Sequence, residues 1–138
     1  MGLFNWFTQE IAIDLGTANT LIIHNDEVVV NEPSIVALNR NNPKEVLAVG
    51  KRALMMHEKT HESIKTVRPL KDGVIADFNA AELMLREMIK MVYPKKPLFP
   101  PSWRMMICIP SSITEVEKRA VRDSAEQAGA KEVYLIHE

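Results

Sequence analysis

The sequence predicts an α/β fold with a mixed β-sheet and flanking helices, and three observations carry the prediction. Short β-branched runs follow one another between Ile11 and Leu38. Two segments further on show helical spacing with recognisable caps, near Asn79 and at Thr114. Each of those is followed by an apolar strand. Three strands, an inserted region and then helix–strand–helix–strand imply an antiparallel start, with helical crossovers onto parallel strands after it.

The first strand reads as Ile11–Leu15, ending at Gly16. Leu21–His24 and Val28–Val30 follow, separated by the polar turn Asn25-Asp26-Glu27. Ser34–Leu38 is a further strand, closed by Asn39-Arg40-Asn41-Asn42-Pro43, so three or four consecutive strands form a meander. In the middle, Val46–Gly50 reads as a strand and a short helix runs through Met55-Met56. Ile64–Pro69 is extended at its end, because a residue before proline avoids the helical region.

Asn79-Ala80-Ala81-Glu82 resembles a capping box, and Leu85, Met88, Ile89 and Val92 recur at helical spacing until Pro94. Met84, Met88 and Met91 are expected in the core of that helix. Thr114-Glu115-Val116-Glu117 is a full capping box, with Val116, Ala120, Val121, Ala125 and Ala128 expected on one face and Gly129 as the stop. Met105–Ile109 and Val133–Ile136 complete the strands, while Asp72 and Asp77 suit turn and helix-capping roles.

A chain of 138 residues is about one domain's worth, and 46% hydrophobic with 25% charged residues is ordinary globular composition. A formal net charge of −1, with basic residues scattered as isolated pairs, argues against nucleic acid as a partner. The single cysteine, Cys108, lies in an apolar run, so no intrachain disulfide is possible and a reducing cytosol fits. No apolar stretch approaches the ~20 residues that cross a bilayer. Met1–Phe7 is too short and lacks the basic start of a signal peptide, and Trp6 stands where a myristoylation motif after Gly2 wants Ser or Thr. The expected location is cytoplasmic. His57 and His61 have a metal-compatible spacing, but no third ligand is in view.

The sharpest chemical signal is Asp14-Leu15-Gly16-Thr17-Ala18-Asn19-Thr20, a strand ending near an acid and turning back through a glycine. Such a turn presents successive backbone N–H groups as an anion-binding nest. Gly16 allows close backbone approach, and Thr17, Asn19 and Thr20 offer further donors. Asp14 is placed to hold a divalent cation through its water shell. The competing reading is a hairpin turn that binds nothing, with Asp14 capping it. The glycine spacing and following element match neither a Walker A loop nor a dinucleotide fingerprint.

Ile13–Thr20 resembles the first phosphate motif of the actin, Hsp70 and sugar-kinase superfamily. Val30–Ala37, Arg68–Asp77, Glu117–Ala120, Ala128–Ala130 and Leu135–Glu138 narrow the resemblance to the bacterial MreB family. It covers nearly the whole chain from Glu10. The resemblance implies the first half of an actin-like ATPase (ribonuclease H-like) fold. Residues 10–33 and 69–138 would form subdomain IA, and residues 34–68 the inserted subdomain IB. It also implies ATP and Mg2+ as cofactors, with phosphate contacts at Thr17, Ala18 and Asn19. Glu138 would orient the attacking water. The implied partners are other protomers of the same filament, the inner face of the cytoplasmic membrane and cell-wall elongation proteins, in a role that determines rod shape. His137 departs from the acidic residue usual in the family. The second phosphate loop and the adenosine pocket would follow Glu138, so the piece alone is expected to bind ATP weakly.

Residues 1–9 form an amphipathic leader. As a helix at 100° per residue, Leu3, Phe4, Trp6 and Phe7 cover roughly 160° and oppose Asn5, Thr8 and Gln9. That pattern suggests interfacial insertion, against the alternative that the leader packs on its own domain. Leu98 and Phe99, in a proline-bounded loop, are a second membrane candidate, and the MreB resemblance implies an apolar loop there. Two other functions compete with a filament-forming ATPase. One is a chaperone ATPase or sugar kinase of the same superfamily, although Ala18 stands where an Hsp70-like chain has a second threonine. The other is an inactive truncated piece.

Overall fold

The computed structural model describes residues 8–59, 61–93, 98 and 102–137. The chain enters as β1 (Thr8–Leu15), β2 (Asn19–His24) and β3 (Glu27–Pro33), an antiparallel meander. The β2–β3 hairpin turns on Asn25 and Asp26, both at positive φ (52° and 61°), as the tight primed turn requires. After α2 (Phe78–Lys90), β9 (Ser102–Ile109) returns parallel to β1. After α3 (Glu115–Gln127), β10 (Ala130–His137) lies parallel to β9. The five-stranded sheet has the order β10-β9-β1-β2-β3, with β1 in the middle.

Strand alternation decides which side is covered. Ile11, Ile13 and Leu15 of β1 are buried with Ile22, Val30, Met105, Ile107 and Ile109 against α2 and α3. On α2 the buried residues come in pairs four apart: Ala80-Ala81, Met84-Leu85 and Met88-Ile89. That is one apolar stripe of a helix. Each large side chain so buried contributes about 1.5–3 kcal/mol.

Between β3 and α2 lies a second, three-stranded antiparallel sheet in the order β5-β4-β6, made of β4 (Val36–Asn39), β5 (Asn42–Val49) and β6 (Ile64–Val67). Val36 and Leu38 join the main core, while Ile35, Ala37 and Ala48 bury Ala53 of α1 (Lys51–Glu58). A small hairpin, β7 (Leu70–Lys71) and β8 (Val74–Ile75), precedes α2.

Several expectations need correction. The fourth strand does not extend the meander but begins the second sheet. The cap of α2 is Asp77, whose Oδ1 accepts from the Ala80 N–H at 3.0 Å, and Asn79 already lies inside the helix. Met91 is the C-cap of α2 and 39% exposed, outside the core that holds Met84 and Met88. Val116 is 78% exposed, because at 100° per residue it lies about 140° from Val121. Thr114 does close a full capping box, Asp72 sits in the β7–β8 turn and Gly129 follows α3 with φ 112°. Pro94 lies outside the described residues, and α2 ends before it.

Candidate functional site

Asp14 sits near the C-terminal end of the central strand, in register with Leu21 of β2 and Cys108 of β9. Alternation puts its half-buried carboxylate on the face opposite Ile13 and Leu15. Beyond it the chain reverses through Gly16–Asn19, closed by the Gly16 N–H donating to the Asn19 carbonyl at 3.1 Å. A Cβ on Gly16 would lie 2.4 Å from that carbonyl oxygen, so only glycine permits this closure.

The turn is tied down from behind. The Ser34 hydroxyl donates to the Gly16 carbonyl at 2.7 Å, and the Ser34 N–H donates to the Ala18 carbonyl at 2.8 Å. Thr20 Oγ1 lies 2.8 Å from Ser34 Oγ. From the side, the Gly73 N–H of the β7–β8 turn donates to Thr17 Oγ1 at 2.9 Å. Thr17, Ala18 and Asn19 are exposed. A short exposed stretch of backbone, anchored through its carbonyls, is the arrangement an anionic oxygen can approach.

The predicted residues divide accordingly. Asp14, Gly16, Thr17, Ala18 and Asn19 are brought together at one end of the sheet. Thr20 was expected to offer its hydroxyl outward but is fully buried, with that hydroxyl committed to Ser34. Glu138 lies outside the described residues, as do Leu3, Phe4, Trp6, Phe7 and Phe99. Leu98 is 90% exposed. His57 and His61 bond Thr66 and Ser63 respectively. Among the described residues no group of three or more His, Cys, Asp or Glu could hold a metal.

Sequence reasoning missed Ser34, Glu32 and Gly73. Glu32 Oε2 accepts from the Lys51 N–H at 2.8 Å, joining the end of β3 to the first residue of α1. Ser34 lay inside a recognised motif, but nothing local marked it as a partner of Gly16.

The opposite end of the sheet is aromatic. Thr8 and Ser102 are paired there, at the starts of β1 and β9. There Tyr93 stacks on Trp103 with ring centroids 5.4 Å apart, and His24 meets both edge-on at 5.8 and 5.7 Å. Among the described residues, no helix is long and apolar enough to cross a membrane.

Known proteins share both the sequence and the fold. The cell shape-determining protein MreB of Escherichia coli (strain K12) is 48% identical over 136 residues, and the cell shape-determining protein Mbl of Bacillus subtilis (strain 168) is 49% identical over 133. Each alignment covers 96% of this chain, and the chain spans 39% of the length of these relatives. Among solved structures, MreB5 of Spiroplasma citri superposes with a TM-score of 0.77 in its ADP complex and 0.75 in its AMPPNP complex. The identities are 37% and 35%, covering 94% of this chain and 38% of that one. The fold of these actin-like relatives is thus the one seen here. With the MreB/Mbl family model matching residues 8–138, the meander, the glycine turn and the two crossovers have one common explanation: the chain belongs to the MreB/Mbl protein family.

Proposed function

We propose that this chain carries the first phosphate-binding element of an ATP-dependent, membrane-bound, actin-like filament protein that determines rod cell shape by guiding cell-wall synthesis. The observation that carries the nucleotide part is the Gly16–Asn19 turn, whose backbone excludes a Cβ and whose Gly16 and Ala18 carbonyls are bound by Ser34. The ADP and AMPPNP complexes of MreB5 support a nucleotide as the ligand. The names of the bacterial relatives support the cell-shape role, and the family resemblance supports self-assembly and location on the inner face of the cytoplasmic membrane.

In this reading Thr17, Ala18 and Asn19 receive phosphate oxygens, and Asp14 holds Mg2+ through water. The cation's contribution is to neutralise phosphate charge. Glu138 orients the attacking water, a task of position and charge rather than covalent chemistry. Residues 10–33 and 69–138 form subdomain IA and residues 34–68 form subdomain IB. The separate sheet of β4, β5 and β6 supports that division.

The test uses the full-length protein. Asp14→Ala should abolish Mg-ATP-dependent assembly and weaken nucleotide binding. Glu138→Ala should slow phosphate release while leaving affinity close to native, because its role is confined to the transition state. Equal loss of affinity in both variants contradicts the assignment.

A further inference from the structure

Thr20 and Ser34 are the buried polar residues of the described chain, each 0% exposed. Their hydroxyls form a directed relay. Ser34 spends its one hydroxyl hydrogen on the Gly16 carbonyl, so Thr20 must donate to Ser34 Oγ. Ser34 uses its backbone as well, its N–H holding the Ala18 carbonyl. One residue thus grips two carbonyls of the turn from the same side.

The consequence follows from peptide geometry. In a planar trans peptide the C=O and the following N–H point in opposite directions. Drawing the Gly16 carbonyl toward Ser34 turns the Thr17 N–H away from it, and drawing the Ala18 carbonyl inward turns the Asn19 N–H away as well. We propose that Ser34, backed by Thr20, is the positioning residue of the phosphate turn, fixing two backbone donors toward the anion before the ligand arrives. The inference rests on the phosphate reading above and deepens it: the recognised group is a phosphate oxygen, met by N–H groups whose direction is set by a serine 18 residues from Gly16.

Calorimetry on the full-length protein with Mg-ATP and, separately, with adenosine tests this. Adenosine lacks the phosphates, so the ratio of the two affinities reports the phosphate contacts, and its change in a variant of the strap reports the turn. In Ser34→Ala the Mg-ATP affinity should fall about tenfold while adenosine affinity stays within twofold of native. Thr20→Val, which keeps the shape and removes the donor, should lower Mg-ATP affinity about threefold, and Thr20→Ser should restore it. These two variants decide the matter if Ser34→Ala does not fold. Mg-ATP affinity within twofold of native in both Ser34→Ala and Thr20→Val overturns the strap while leaving the phosphate reading intact. A parallel fall for Mg-ATP and adenosine also overturns it, since that marks a merely structural role. Native protein that binds Mg-ATP no better than adenosine defeats the phosphate reading, and the strap with it.

Discussion

A carbon atom added at Gly16 would meet backbone, the Asn19 carbonyl oxygen at 2.4 Å, and backbone cannot swing aside as a side-chain end can. Gly16→Ala should therefore distort the turn, with a stability loss of about 1–3 kcal/mol readable in a urea titration; an unchanged midpoint would show that the turn accommodates a side chain. Charge at the surface has a different signature. Arg104 lies between two carboxylates, its Nη1 2.7 Å from Glu10 Oε1 and its Nε 2.8 Å from Glu132 Oε2. The hydrogen bond from Arg104 is the main cause that holds the Glu132 carboxyl below its ordinary range. The Tyr134 hydroxyl and the guanidinium charge push the same way. A carboxylate with a lowered folded pKa contributes stability above the ordinary glutamate pKa and loses it as pH falls through the lowered value. Being exposed, the group contributes little, and salt screens it. Arg104→Gln should move the Glu132 titration upward, as followed by NMR of its carboxyl carbon, and an unmoved titration would remove Arg104 as the cause.

At the scale of elements, Asp77 and Asn79 are both good helix-capping residues in the sequence, and burial chose between them. Starting α2 at Phe78 places that ring against the main core, which fixes the cap one residue earlier, at Asp77. Asp77→Ala should cost ~1 kcal/mol of stability and Asn79→Ala much less, by chemical denaturation. The reverse order would return the cap to Asn79. Long periodic elements were legible for a plain reason: α2, α3, β1 and β9 each repeat their apolar positions enough times to declare a period. The β7–β8 hairpin was not, since two-residue strands have no period to show. Val116 is apolar in type, but its angle on α3 turns it to solvent. The site divides the same way. Asp14 to Asn19 form one local strand-and-turn signal, whereas Ser34 reaches Gly16 only after β3 has folded back along β2, with Glu32 opposite Thr20.

Across the whole molecule, the proposed function assigns a role to each end of β1. The phosphate turn follows Leu15, while Thr8 enters beside Ser102. Eight strand residues place these ends about 23 Å apart, so the proposed nucleotide and membrane contacts need not compete for one surface. The parallel pairing of β1 with β9 sets Thr8 beside Ser102, and the His24, Tyr93 and Trp103 rings pack against one another at that end of the sheet. In the proposed membrane reading, the leader and the Leu98-Phe99 loop are two modest anchors on one chain that act together. Once one inserts, the other is held near the bilayer at high effective concentration, and assembly of many protomers multiplies the gain. The first ten residues hold no Lys or Arg, so in the proposed membrane reading their attraction is hydrophobic and should depend little on salt. Each large apolar side chain fully buried is worth ~1.5–3 kcal/mol, and insertion at an interface recovers only part of that. One anchor alone should therefore bind weakly and reversibly. In full-length protein, deleting residues 2–7 and replacing Leu98 and Phe99 with Ser should each reduce co-sedimentation with neutral liposomes, and the combination should abolish it. Survival of binding in the combined variant, or release of the native protein by modest salt alone, would mean that some other surface carries the protein to the membrane.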